Sequence, residues 1–125
     1  MITEDYVSFE TAKLLKEKGF DEICSTAYET ITNVHEIEQC SISSWGKLGQ
    51  VKRPTLQMAI KWLREVHKLF IAINMIPDTI QKPYFFKLYV DKKIYNFPLD
   101  YSVEFYTTYE EACEAAIKYC LENLI

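Results

Sequence analysis

The chain has 125 residues, 49% of them hydrophobic and 26% charged, with a formal net charge of −4. That length and balance suit one folded domain with a sizeable core, and they exclude both a disordered tail and a strongly basic nucleic-acid binder. No stretch approaches the ~18 consecutive apolar residues of a membrane helix, so no membrane partner is expected.

The charge is unevenly spread. Residues 1–51 carry −5, residues 52–93 carry +6 and residues 94–125 carry −5. A basic centre between acidic ends reads most simply as internal complementarity. The opening MITEDYVSFE is acidic and lacks an apolar run, so no export signal and a cytoplasmic location are expected. Four cysteines in such a chain are expected to stay reduced. The nine Tyr and seven Phe exceed what a core of this size needs. Some of those rings are therefore expected on a sheet face or at an interface.

In chain order, residues 7–20 predict a first helix. Ser8 is placed to cap it, Val7 to staple onto Ala12, and Gly19 to take the left-handed position after the last turn, with Phe20 returning to Leu15. Residues 24–31 and 34–43 alternate loosely around Thr32-Asn33 and predict a hairpin; an irregular excursion is the alternative. Residues 41–53, with two of the three glycines, read as a loop carrying Trp45.

Residues 54–70, PTLQMAIKWLREVHKLF, give the strongest helical pattern. Gln57, Lys61, Arg64, Glu65 and Lys68 share one polar arc, and the rest of the circumference is apolar or aromatic. An apolar arc that wide predicts neighbours on several sides, and a solvated polar arc with local ion pairs. Residues 70–76, FIAINMI, predict a buried central strand ended by Pro77. Residues 84–90, YFFKLYV, predict a strand, 91–93 a turn, 94–97 its hairpin partner, and 102–106 a last strand. Thr108 opens a capping box with Glu111 ahead of a helix over 109–124, whose Tyr109, Ala112, Cys113, Ala116, Ile117, Cys120, Leu121 and Leu124 form one apolar stripe. The expected architecture is a single α+β domain over 1–125. Its antiparallel sheet carries about three helices, in the order α-β-β-α-β-β-β-β-α.

Three stretches, EDYVSFETAKLLKEKGF, PTLQMAIKWLREVHK and YEEACEAAIKYCLENLI, together resemble a family of short uncharacterised proteins of gut Bacteroidales, associated with their prophages and other mobile elements. The resemblance implies a cytosolic bacterial or phage accessory protein and brings no activity with it. It also implies that residues 24–53 and 77–106 are where members differ and where each acquires its own partner.

The residues themselves point away from catalysis. There is no C-x-x-C pair; Cys113 and Cys120 fall on the apolar stripe, where Cys acts as a small hydrophobe. Cys24 and Cys40 could face each other across the hairpin, but reduced and unpaired is the simpler expectation. His67 borders the polar arc one turn from Arg64, a setting that suits a hydrogen-bonded histidine better than a general base. No nucleophile has a telling context, and no glycine-rich phosphate loop is present. We therefore expect no enzyme, no cofactor and no metal.

The ambiguous feature is the strand 84–90. Phe85, Lys87 and Tyr89 share one face, and Tyr84, Phe86, Leu88 and Val90 share the other, core-like face. The leading expectation is a non-enzymatic module that binds a protein partner, or a second copy of itself, through a sheet face or the 41–53 loop. The alternative is a single-stranded nucleic-acid binder, because a basic residue between two rings is the pattern of a base-stacking platform. Phe85, Lys87, Tyr89 and Trp45 are the candidate contact residues for either.

Overall fold

A computed structural model describes residues 2–29, 36–39, 50–77, 81–98 and 104–125; for Glu29, 36–39 and Gln50 the description is of the backbone. Among the described residues three helices and six strands follow in the order α1 (Phe9–Glu17), β1 (Thr26–Glu29), β2 (Glu36–Gln39), β3 (Gln50–Lys52), α2 (Leu56–His67), β4 (Leu69–Met75), β5 (Tyr84–Val90), β6 (Lys93–Ile94) and α3 (Tyr109–Asn123). The class is α+β. The strands form two antiparallel three-stranded sheets, ordered β2-β1-β3 and β4-β5-β6, and the chain divides into two compact units, Met1–Ala59 and Ile60–Ile125.

In the first unit, α1 is punctuated as its sequence dictates. Ser8 is the N-cap and accepts from the Thr11 N–H, while Val7 and Ala12, on either side of it, are both fully buried. At the other end Gly19 takes φ +94. The Phe20 N–H then donates to the Leu15 carbonyl at 2.9 Å, and the Gly19 N–H to that of Lys16 at 3.2 Å. These are the two bonds of a Schellman motif.

The expected hairpin is present, with Thr26 opposite Gln39 and Glu29 opposite Glu36. Its turn residues, His35 and Cys40 lie outside the described residues. The loop reading of 41–53 needs correction at its end: Gln50–Lys52 is β3, paired to β1 with Tyr28 opposite Val51. Three residues carry too little alternation to announce a strand, and β1 supplies the template. Arg53 fastens this edge. Its backbone N–H donates to the Thr26 carbonyl, its Nε donates to Thr26 Oγ1, and its guanidinium lies 3.8 Å above the Tyr6 ring. The Tyr28 hydroxyl, buried, donates to the Val7 carbonyl at 2.7 Å. Lys52 pairs with Asp21 at 3.0 Å, one instance of the expected charge complementarity.

The helix expected over 54–70 is shorter at both ends. Thr55 caps it, accepting from the Met58 N–H, and it stops at His67 because Lys68 turns to φ +58. Leu69 and Phe70 belong to β4. The arc is also less enclosed than its pattern suggests: Ala59, Trp62 and Leu63 are buried, but Val66 is 54% exposed. The polar arc is solvated apart from the half-buried Arg64, whose approach to Glu65 is 3.9 Å.

In the second unit β5, not β4, is the central strand. The β4 strand lies at the sheet edge and is mostly half-buried, so the reading of FIAINMI as a buried central strand is overturned. A continuous apolar run cannot tell a central strand from an edge strand that is covered on one face. Between β5 and β6 the chain turns on Asp91 and Lys92, both with positive φ, leaving Val90 opposite Lys93. Two positive-φ residues in a two-residue loop make a type I′ turn. The expected partner 94–97 is reduced to Lys93–Ile94, followed by one more bond from the Tyr95 N–H to the Leu88 carbonyl. Of the strand expected at 102–106, residues 102–103 lie outside the described residues, and Tyr106 forms an isolated antiparallel bridge with Tyr84.

Helix α3 packs across β4 and β5. Thr108 caps it by accepting from the Glu111 N–H at 3.1 Å. Ala112, Cys113, Ala116, Ile117, Cys120 and Leu121 of the expected stripe are all fully buried, whereas its two ends are not: Tyr109 is 41% exposed and Leu124 half-buried. Tyr119, off that stripe, is buried too. It packs against Tyr95 and Phe97, with its hydroxyl 3.2 Å from that of Tyr95.

Candidate interaction face

Side-chain alternation gives the β4-β5-β6 sheet two unlike faces. Leu69, Phe86 and Leu88 are buried on the face that α3 covers. Phe86 stacks on Tyr106 with ring centroids 6.2 Å apart and meets Phe97 edge-on. The sequence assigned Tyr84, Phe86, Leu88 and Val90 to the core. Phe86 and Leu88 are there, while Tyr84 and Val90, at the strand ends, are half-buried.

The opposite face carries Phe85, Lys87 and Tyr89. The register sets Phe70 opposite Tyr89, Ala72 opposite Lys87 and Asn74 opposite Phe85. Ile94 lies on the other side of Tyr89. Directly opposed residues share a face, so Phe70, Ala72, Asn74 and Ile94 join the first three. Phe105 adds to the set: it precedes Tyr106, which is bridged to Tyr84, and its ring meets Phe85 edge-on at 5.6 Å.

Apolar surface is left in water across this face. Phe70 is 36% exposed, Phe105 40% and Ile94 60%; Phe85 and Tyr89 are half-buried and Lys87 is exposed. A scatter of single exposed apolar residues is ordinary, but these are neighbours by register on one sheet face. Lys87 has small Ala72 opposite it and stands between two rings. Among the described residues it makes no ion pair. Glu104 accepts, at 3.4 Å, from the hydroxyl of Tyr106, whose ring stacks on Phe86 of the α3-covered face.

Trp45, the fourth candidate, lies outside the described residues. Phe70, Ile94 and Phe105 were not singled out from the sequence. Phe70 was read both as the helix end and as the first residue of a buried strand, and Ile94 was placed in a strand without a facing. Phe105 was placed in the expected strand 102–106 without a facing, and it reaches the face beside the Tyr84–Tyr106 bridge.

The thiols sit elsewhere. Cys24, Cys113 and Cys120 are buried and unbonded to one another. Burial pushes Cys24 and Cys113 up to about 11 and Cys120 to about 12. For Cys24 the nearby Lys52 opposes the shift weakly, and for Cys113 a hydrogen bond with Tyr109 does so. Such thiols are packing groups rather than nucleophiles. No group of three His, Cys, Asp or Glu among the described residues could hold a metal ion. His67 Nε2 is buried without a hydrogen-bond partner, and its ring lies edge-on to Trp62 at 4.7 Å. The sequence had suggested a hydrogen-bonded histidine there; the structure gives it an aromatic neighbour instead.

No protein-family model, curated protein or solved structure matches the chain.

Proposed function

We propose that this chain is a non-enzymatic interaction module that engages a protein partner through the open aromatic face of the β4-β5-β6 sheet. One observation carries the reading: Phe70, Phe85, Tyr89, Ile94 and Phe105 are brought together on the face opposite α3, with apolar surface left in water. Aromatic rings bury large areas at low conformational cost and dominate the anchoring points of protein interfaces. Lys87 and Asn74 supply polar groups among the rings, as such interfaces have. The accessory role in a bacterial or phage mobile element, implied by the resemblance of the two terminal stretches and α2, fits a small module of this kind acting in the cytoplasm.

A second reading has its own observation. Lys87 stands exposed between Phe85 and Tyr89, which suits stacking of single-stranded bases with a cation at their phosphates. The net charge of −4 weighs against it.

Substitution and salt separate the two. Phe105→Ser and Tyr89→Ser should each abolish capture of a host protein while circular dichroism stays native. Oligonucleotide binding, if present, would weaken steeply with salt and with Lys87→Ala. Capture that is indifferent to both aromatic substitutions would refute the proposed face.

A further inference from the structure

The edge of the same sheet carries a second message, independent of the aromatic face. The Ile76 N–H donates to the Pro83 carbonyl, and the register pairs Phe70, Ala72 and Asn74 with Tyr89, Lys87 and Phe85. In an antiparallel ladder the residues that exchange bonds with a given neighbour alternate. Phe70, Ala72, Asn74 and Ile76 therefore turn their N–H and C=O groups toward β5. Tyr84 and Leu88 bond away from β4, to Tyr106 and Tyr95, as that alternation requires. It follows that Ile71, Ile73 and Met75 aim their backbone groups off the outer edge of β4. Among the described residues no backbone bond from another segment reaches them.

Proteins protect an edge like this with a Lys, a Pro, a bulge or a very short strand. The β4 sequence LFIAINM has seven residues and contains no charge and no proline, and its pairing to β5 runs without a bulge. Among the described residues the opposite side of β5 holds the two-residue β6, the Tyr95 bond to Leu88 and the Tyr106 bridge. Long unprotected edge is therefore found on β4 alone among the described strands of this sheet.

We infer that β4 pairs antiparallel with β4 of a second copy of this chain, joining two three-stranded sheets into one of six strands. Unpaired, evenly spaced donors and acceptors are matched by another extended strand, and an uncharged strand can lie against itself without repulsion. Ala72 is the middle residue of β4. With Ala72 on the twofold axis, Ile71 exchanges both bonds with Ile73 of the second copy, and Ile73 with its Ile71. The small Ala72 side chains then meet at the close, non-bonded pair, and Phe70 falls opposite Asn74. The contact is isologous and closed, so it stops at a dimer.

Light scattering on the full chain is the test, with hydrogen exchange reporting on the edge itself. Wild type should show twice the 14.7 kDa chain mass, with slowly exchanging Ile71 and Ile73 amides. Ala72→Glu should give the single-chain mass: the new carboxylate faces Lys87 within its own sheet but meets its own copy across the axis. Ala72→Gln, similar in size and neutral, should remain dimeric. Ile73→Pro, which deletes an outward N–H and no bond to β5, should also give the single-chain mass. Phe105→Ser should leave the dimer intact, so failure of the aromatic-face reading and failure of this one are distinguishable. A wild type that stays at the single-chain mass at every concentration would overturn the inference. So would a dimer in which the Ile71 and Ile73 amides exchange freely. Protection of those amides only after addition of another protein would assign the edge to that protein and overturn self-pairing.

Discussion

Lys92 occupies φ +66 in the two-residue turn after β5, a backbone region where a Cβ crowds the carbonyl and glycine does not. Asp91, its neighbour at φ +53, belongs to the type that tolerates this region and Lys does not. Lys92→Gly should therefore raise stability by about 1 kcal/mol, which urea unfolding would show as a higher midpoint with an unchanged slope. The buried thiols make a second prediction at this scale. Their native values, about 11 for Cys24 and Cys113 and about 12 for Cys120, lie above the ordinary 9.0. Protonated thiol is thus favoured by folding. The stability this confers is fully present below about pH 9 and is lost as pH rises through 11 and 12. At pH 8 these three thiols should react with a disulfide reagent only as fast as the chain unfolds. Immediate reaction of all three in native buffer would contradict their burial.

Among the elements, the helices α1 and α3 were legible because their ends carry explicit chemistry. Ser8, Gly19 and Thr108 each satisfy particular backbone groups that no distant contact has to supply. The left-handed Gly19 has open space around the position of a Cβ, so Gly19→Ala isolates the conformational cost. It should lower stability by about 1 kcal/mol. The boundary between α2 and β4 was not legible. HKLFIAINMI is apolar and unpunctuated, and the turn is made by Lys68 at φ +58, a residue that does not advertise positive φ. The same lack of punctuation hid the place of β4 in its sheet. Whether a strand is central or at an edge is decided by which partners arrive from elsewhere in the chain. The short β3 escaped for that reason too. The face of β5 was legible, since Phe85, Lys87 and Tyr89 follow from period two alone; Phe70, Ile94 and Phe105 needed the register.

For the whole molecule, the basic centre between acidic ends is only partly used in ion pairs among the described residues. Lys52 meets Asp21, whereas Lys61, Lys87, Lys92 and Lys93 stand exposed. No described helix is long and apolar enough to cross a membrane. Photo-crosslinking from within the aromatic face tests its role as a contact surface most directly. Benzoylphenylalanine in place of Phe105 should yield one discrete protein adduct in extract of the native host, and in place of the exposed Glu122 on α3 it should yield none. Equal adducts from both positions, or none from Phe105 while the chain remains folded, would contradict the account.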